Sequence, residues 1–133
     1  MSEALHCGSC LCGETVYEVH GPLRDVVACH CTQCRKQTGH YLSATSADAE
    51  DLKLLRDGHV RWYRSSPTAR RAFCANCGST LFWQADARLD RISIAAGTLD
   101  GPTGLATEGH IFCADKGDYY LIPDEGYRRE RWS

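Results

Sequence analysis

The residues with the clearest chemistry are three cysteines in the stretch ACHCTQCRKQTGHY, which runs from Ala28 to Tyr41. Cys29, Cys31 and Cys34 fall within six positions, a density typical of a metal site. A closed tetrahedral zinc site needs four ligands, whereas a catalytic zinc keeps one position open for water or substrate. The spacing therefore predicts a catalytic zinc whose fourth ligand would be the substrate.

Two further cysteine pairs predict a second metal site with a full set of ligands. Cys74 and Cys77 form a CxxC pair in FCANCGSTLFW, and Gly78 follows it. A glycine there can adopt a positive φ and let backbone N–H groups approach the sulfurs. Cys10 and Cys12 form a CxC pair in SCLCGE, and their sulfurs would share one side of an extended chain. Two pairs together make a complete four-thiolate site.

The residues alone leave alternatives open for the three-cysteine site. Cys113, or one of His30, His40 and His110, could close it and make the protein a non-catalytic two-zinc scaffold. A further possibility is iron held by four cysteines, which would colour the protein, whereas zinc would not. The spacing of the cysteines does not decide between these metals.

Two cysteines remain outside these sets, and their roles stay open. Cys7 could be a small buried apolar residue, as free cysteine often is. In a strand over 111–113, Ile111 and Cys113 would share one face. We expect Cys113 to be buried away from the zinc rather than to complete its ligand set.

Length, charge and composition restrict the possible partners. The chain has 133 residues, of which 43% are hydrophobic and 24% charged, which predicts a single domain over residues 1–133. Its net charge of -2 gives no general attraction to nucleic acid or anionic lipid. No signal sequence is evident, and no apolar run approaches the roughly 18 residues of a membrane span. We therefore expect a cytoplasmic protein without nucleic-acid or membrane partners, in which clustered cysteines bind metal rather than form disulfides.

Short strands must position these cysteines. Apolar and aromatic runs between turn residues indicate antiparallel strands over 15–19, 26–31, 41–45, 60–63, 79–83, 92–96 and 111–113. In ETVYEVHG, Tyr17 and Val19 would share one face. Helical turns are expected only over 32–38 and after Ser46 within 46–58. The predicted fold class is mainly β, a small antiparallel-sheet domain with zinc sites and little helix.

Five segments resemble, in order and spacing, the glutathione-dependent formaldehyde-activating enzyme family: GSCLCGETVYEV, CHCTQCRKQTG, FCANCGSTLFW, AAGTLD and HIFCADKGDYY. The resemblance covers nearly the whole chain and implies a mainly β fold of the β-tent type with two zinc ions per chain. By motif position it implies a structural zinc on Cys10, Cys12, Cys74 and Cys77, and a catalytic zinc on Cys29, Cys31 and Cys34. The implied activity is the condensation of glutathione with formaldehyde to S-hydroxymethylglutathione, classed as a carbon–sulfur lyase reaction in the reverse sense.

The three-cysteine ligand set also favours sulfur chemistry by itself. Three thiolates lower the pKa of a zinc-bound water less than three neutral histidines do, whereas a soft site readily accepts and deprotonates a thiol. Arg35 and Lys36 directly follow Cys34 and could offset the negative charge or hold a substrate carboxylate. The interpretation favours an enzyme that activates glutathione or a similar thiol for addition to formaldehyde or another small aldehyde. A non-catalytic two-zinc binding module of the same fold is the alternative.

Overall fold

The computed structural model describes residues 5–132, and β-strands dominate them. The strands are β1 (Leu5–Ser9), β2 (Val16–His20), β3 (Val26–Cys29), β4 (Leu42–Asp48), β5 (Leu52–Arg56), β6 (Val60–Ser66), β7 (Ala69–Cys74), β8 (Thr80–Ala85), β9 (Arg91–Ala95), β10 (Thr107–Ile111) and β11 (Tyr127–Arg128). One α-helix, α1 (Thr32–Thr38), and short 3-10 turns at Ala49–Asp51, Asp86–Arg88, Ala96–Thr98 and Cys113–Asp115 complete the regular structure of this part of the chain. The mainly β prediction is confirmed.

The strands form two sheets. Strands β1, β2 and β5 make a three-stranded antiparallel sheet with β2 in the centre. The other sheet has eight strands in the order β11-β10-β3-β4-β9-β8-β7-β6. Neighbouring strands in this sheet run antiparallel, except that β10 lies parallel to both β3 and β11. The antiparallel prediction thus describes most of the pairing, while the direction of β10 depends on a connection that local sequence alternation does not report.

The main core lies between the two sheets. Strand β2 turns Tyr17 and Val19 inward, both 0% exposed, which confirms the predicted alternation. The Tyr17 ring meets the Phe82 ring of β8 edge-on, with 5.6 Å between ring centroids. The Tyr17 hydroxyl pairs with Thr98 Oγ1 at 2.6 Å, so the buried hydroxyl keeps a hydrogen bond. A Cβ at Gly8 would lie 2.3 Å from the Tyr17 ring, so β1 can cross this ring only at a glycine.

Two strands that the sequence predicts to contain cysteines end earlier than expected. The strand predicted over 26–31 stops at Cys29, because Cys31 becomes the N-cap of α1. The strand predicted over 111–113 stops at Ile111, because Phe112 adopts a left-handed φ of 54° before a 3-10 turn. The prediction that Ile111 and Cys113 share a strand face is therefore wrong.

The segment after Ser46 also differs from a simple helical turn. A 3-10 turn does occur at Ala49–Asp51, but the chain then continues as β5, which pairs with β2 across the smaller sheet. Strands β1, β5, β7 and β11 were not predicted, and three of them lie at sheet edges. Within residues 5–132, every helical segment is too short to cross a membrane.

Candidate metal centres

The structure brings together the four cysteines that the sequence assigned to one closed site. The Sγ atoms of Cys10, Cys12, Cys74 and Cys77 all lie within 4.8 Å of one another. The Cys12 Sγ lies 3.6 Å from that of Cys10 and 3.9 Å from that of Cys74. Ligands about 2.3 Å from a tetrahedral zinc are about 3.8 Å apart, so the spacing fits one zinc ion. Cys10 and Cys12 lie in a turn after β1, not on an extended strand as predicted.

Hydrogen-bond donors around this cluster favour thiolates. The Thr15 N–H donates to Cys10 Sγ at 3.3 Å. The Ser79 hydroxyl lies 3.3 Å from Cys77 Sγ, and its hydrogen bond lowers the pKa of the Cys77 thiol to about 5. Donors that stabilise the ionised sulfur also suit a cation with a preference for thiolate ligands. The four-cysteine cluster therefore fits a structural zinc site by its donor chemistry.

A glycine with positive φ follows each of the two cysteine pairs. Gly78 has a φ of 83° and its N–H donates to the Cys74 carbonyl at 2.7 Å. Gly13 has a φ of 81° and its N–H donates to the Cys10 carbonyl at 3.2 Å. This left-handed backbone is costly for other residues, and it turns the chain so that both sulfurs of a pair face the cluster. The positive φ predicted for Gly78 is thus present in the structure, and its N–H contacts a carbonyl rather than a sulfur.

The second cluster forms where β3 meets α1. Cys29 ends β3, Cys31 caps α1, and Cys34 lies in the first turn of the helix. The Cys31 Sγ accepts a hydrogen bond from the Cys34 N–H at 3.3 Å. The three Sγ atoms lie within 4.8 Å of one another, and no other His, Cys, Asp or Glu of residues 5–132 joins them. The geometry thus supplies three sulfurs and leaves one side of a tetrahedron to an outside ligand.

The three thiols of this cluster compete for their protons. Hydrogen bonds with Cys31 and Cys34 raise the pKa of Cys29, while the hydrogen bond with Cys29 is the main cause that lowers the pKa of Cys31 to about 2. Close like charges cannot all form at once without a cation. A divalent soft metal would allow all three thiols to ionise together, so this donor set also fits zinc.

Arg71 of β7 is a functional candidate that the sequence analysis missed. Its Nη2 and Nη1 atoms lie 3.4 and 3.5 Å from Cys34 Sγ, and Nη1 also donates to Gln37 Oε1 at 2.9 Å. The side chain is only 5% exposed, and a buried guanidinium needs acceptors or negative charge around it. A Cys34 thiolate bound to a metal would supply that charge. No spacing rule could have connected two residues that are 37 positions apart.

The two basic residues predicted to contact substrate occupy different places. Lys36 is exposed and lines a cavity of about 480 Å³ between α1 and strands β6 and β7. Arg35 is half-buried and does not line that cavity. Arg71 lines it, so the cavity adjoins the three-cysteine cluster through Arg71. Substrate contact by Lys36 or Arg35 stays a prediction.

The histidines that could have closed the three-cysteine site have other partners. His30 Nε2 lies 2.9 Å from His110 Nδ1, and His30 Nδ1 is hydrogen-bonded to the Tyr120 hydroxyl. Burial is the main cause that lowers the pKa of His30 to about 4, so the ring is neutral near pH 7. His40 Nδ1 lies 2.9 Å from the Tyr119 hydroxyl. None of the three histidines joins the cysteine cluster.

The two remaining cysteines also lie outside both clusters. Cys113 is buried in the 3-10 turn after β10, as expected of a small apolar residue. Its N–H donates to the Arg129 carbonyl at 3.0 Å, which ties the turn to the segment after β11. Cys7 is exposed on β1, so the suggestion that it is a buried apolar residue is wrong. Neither thiol supplies a fourth ligand to the three-cysteine cluster.

Comparison with known proteins agrees with this arrangement of cysteines. A family model described as glutathione-dependent formaldehyde-activating enzyme matches residues 5–115. A protein of Schizosaccharomyces pombe named as an uncharacterized lyase is 27% identical over 113 residues, which are 85% of this chain and 82% of that protein. A crystal structure of a Rhodobacter sphaeroides protein has a TM-score of 0.63 and 25% sequence identity, and the match covers 78% of this chain and 98% of the other. Because the family match includes both cysteine clusters and most of the chain, this protein belongs to the glutathione-dependent formaldehyde-activating enzyme family.

Proposed function

We propose that this protein is a zinc-dependent enzyme of the carbon–sulfur lyase type, which activates glutathione or a similar thiol for addition to formaldehyde or another small aldehyde. The observation that carries the proposal is the cluster of Cys29, Cys31 and Cys34, which has no fourth protein ligand among the described residues. Family membership supplies the class of thiol and aldehyde. The four-cysteine cluster would hold a second, structural zinc, which gives two zinc ions per chain.

The reaction needs a thiolate and no redox partner. The thiol sulfur forms a bond to the carbonyl carbon, the C=O π bond breaks, and the carbonyl oxygen takes up a proton as the thiol loses one. Zinc bound by Cys29, Cys31 and Cys34 would supply a soft Lewis acid that favours the ionised form of a thiol substrate. The product is an S-hydroxymethyl thiol, and the reverse steps release the aldehyde.

A positively charged side chain next to the cluster partly offsets the negative charge of its thiolates. Three thiolates and a thiolate substrate together carry more negative charge than one divalent cation can cancel. The Arg71 guanidinium contacts Cys34 Sγ directly, and Gln37 accepts a hydrogen bond from the same guanidinium. A positioned cation next to a ligand tunes the donor strength of that ligand. Arg71 therefore reduces the electrostatic cost of accepting an anionic substrate.

The cysteines also suit a reducing compartment. All nine are free thiols in the structure, and seven of them belong to the two clusters. Oxidation of either cluster to disulfides would remove the ligands that a metal requires. We include a cytosolic location in the proposal for this reason.

The proposal is tested by the rate at which glutathione and formaldehyde combine. Two-dimensional NMR exchange with ¹³C-formaldehyde measures this rate with and without the zinc-loaded protein. We expect the wild type to exceed the uncatalysed rate and Cys34→Ser to lose the excess, because that variant lacks one ligand of the open site. A wild type that carries two zinc ions and accelerates neither this reaction nor the reaction of other small aldehydes would support the non-catalytic two-zinc scaffold instead.

A further inference from the structure

The buried imidazole of His30 lies between two of the cysteines of the open cluster and is held by distant parts of the chain. His30 separates Cys29 from Cys31 and is only 1% exposed. We infer that His110 and Tyr120 fix the His30 ring. They thereby act as positioning residues, which set the separation of the two flanking sulfurs at the three-cysteine cluster. The inference rests on the zinc site of the proposed function and concerns residues outside its ligand set.

Both ring nitrogens of His30 have a protein partner. His30 Nε2 lies 2.9 Å from His110 Nδ1, and His30 Nδ1 is hydrogen-bonded to the Tyr120 hydroxyl. A neutral imidazole has one donor and one acceptor, so these two hydrogen bonds use its full capacity. Because the bonds leave the ring at different atoms, rotation about either side-chain torsion would break at least one of them. The pair of partners therefore selects one orientation of the ring.

Packing and a backbone hydrogen bond fix the rest of His30. Its N–H donates to the Ile111 carbonyl at 3.0 Å, which ties it to β10, the strand that also carries His110. The Tyr41 ring packs against the imidazole with 4.6 Å between ring centroids. The Tyr120 ring lies at 5.5 Å, with an angle of 25° between the ring planes. Since both its ring and its N–H are held, the His30 backbone has little freedom to rotate.

Lys116 in turn anchors Tyr120. The Lys116 Nζ donates to the Tyr120 carbonyl at 2.7 Å and to the Gly117 carbonyl at 2.9 Å. The same ammonium group lies 5.1 Å from the centroid of the Tyr120 ring, within the range of a cation–π interaction. Tyr120 thus reaches His30 from an anchored loop. The two partners of His30 lie 80 and 90 positions further along the chain, so tertiary structure maintains the link.

This constraint acts where the backbone changes direction between two ligands. Cys29 ends β3 and Cys31 is the N-cap of α1, so His30 is the one residue between the strand and the cap. A rotation at His30 would move the Cys31 sulfur relative to the Cys29 sulfur. The described residues supply only three ligands to this cluster, and ligands already held at the required separation avoid the entropic cost of being ordered on binding. Loss of the His30 contacts should therefore lower metal affinity at this cluster.

The experiment measures both zinc affinities of the full chain by competition with chromophoric chelators. Tyr120→Phe removes only the hydroxyl that contacts His30. We expect it to weaken zinc binding at the three-cysteine cluster by about tenfold and to leave the four-cysteine cluster at its wild-type affinity. Cys34→Ser identifies which affinity belongs to which cluster. The matched control is Tyr119→Phe, which removes a hydroxyl that pairs with the exposed His40, and both affinities should stay at their wild-type values.

Two further measurements separate positioning from a general loss of stability. With cobalt in the three-cysteine cluster, Tyr120→Phe should shift the visible d–d bands, which report the arrangement of the ligands, whereas Tyr119→Phe should not. His110→Asn keeps a polar atom near the position of Nδ1 and should preserve the zinc affinity. His110→Leu removes that atom and should lower the affinity by about tenfold, as Tyr120→Phe does.

Wild-type zinc affinities and cobalt bands in both Tyr120→Phe and His110→Leu would overturn the inference. Equal weakening at both clusters would also overturn it, since the loss would then come from the fold and not from the arrangement of three ligands. Neither result bears on the rate at which the wild type adds a thiol to an aldehyde, so the proposed function would stand. A wild type that binds zinc at both clusters and accelerates no thiol addition would overturn the proposed function, while the same comparison of variants would still decide the inference.

Discussion

Arg71 brings a buried positive charge to a cluster whose chemistry depends on negative charge. Its side chain is only 5% exposed, and Cys34 Sγ and Gln37 Oε1 accept hydrogen bonds that compensate for the lost hydration. The interaction is mutual, because the same guanidinium favours the ionised form of Cys34. Arg71 is therefore a positioning residue for the ligand set, and its contribution should be measurable in metal affinity.

We predict that Arg71→Leu weakens zinc binding at the three-cysteine cluster by about 10–100-fold, the usual effect of removing a group that supports a metal ligand. Competition with a chromophoric chelator measures the affinity. Arg70→Leu is the matched control, since it removes the same charge from the same strand, where Arg70 stacks on Trp62 at 3.9 Å and binds Gln84. Equal zinc affinity in the two variants would contradict a specific role for Arg71.

At Cys34, loss of a ligand should separate activity from folding. We predict that Cys34→Ser retains both sheets, binds one zinc ion where the wild type binds two, and loses thiol-dependent activity. The reason is that serine is a poor ligand for a soft cation, while the other cluster keeps all four cysteines. Metal analysis and circular dichroism measure the two effects. A Cys34→Ser protein as unfolded as Cys77→Ser would favour a structural role for both sites.

The junction between β3 and α1 shows which structural features short-range sequence predicts. The density of Cys29, Cys31 and Cys34 and the short helix over 32–38 were both predicted, because they depend on neighbouring residues. The end of β3 was not predicted. Cysteine is not among the usual N-cap residues, so no sequence signal indicated that Cys31 Sγ would cap α1. The cluster was predicted correctly although the strand end was not, because the close spacing of the three cysteines brings their sulfurs together whether the backbone between them is a strand or a helix.

Contacts between distant elements account for the remaining differences. Arg71 reaches Cys34 only because β7 and α1 lie on either side of one cavity, and alternation along β7 does not reveal its neighbours. The parallel pairing of β10 with β3 likewise depends on a long connection after β9. Such arrangements follow from tertiary packing, so a single sequence carries little local signal for them.

The turn after β7 gives a test of backbone geometry at the scale of one element. Gly78 has a φ of 83° with open space around its Cα, so the cost of Gly78→Ala should come from the backbone alone, about 1–2 kcal/mol of unfolding free energy. Denaturant titration of the zinc-loaded protein measures it. Gly58→Ala is the control, since Gly58 also has open space but no such positive φ. Equal stabilities of the two variants would contradict a conformational requirement at Gly78.

At the scale of the whole molecule, the two clusters occupy different structural positions. Cys10 and Cys12 follow β1 of the smaller sheet, whereas Cys74 ends β7 of the larger sheet and Cys77 lies in the β7–β8 connection. Cys10 and Cys74 are also part of the core between the sheets. The three-cysteine cluster packs instead on a small separate group at β4, with Leu42 and Ala44. Metal in the four-cysteine cluster would thus join the sheets, and metal in the other would not.

This difference predicts that metal leaves the protein in two stages. As the concentration of a chelator rises, the three-cysteine cluster should lose zinc first, because it provides one thiolate fewer and an exchangeable position. The sheets should persist at that stage. The second zinc should leave only as the protein unfolds, because binding at a structural site contributes on the order of 10 kcal/mol to folding. For the same reason, Cys77→Ser should yield unfolded or insoluble protein.

The measurement follows released zinc with a metal indicator and folding by tryptophan fluorescence, to which Trp62 of β6 and Trp83 of β8 contribute. Cys34→Ser is the control, since it should show only the second stage, at the same chelator concentration as the wild type. Loss of both zinc ions in a single step that coincides with unfolding would show that the clusters are thermodynamically linked. A folded protein after both ions have left would show that the core between the sheets is sufficient without metal. Either result would contradict the division of the cysteines into an open site and a site that joins the two sheets.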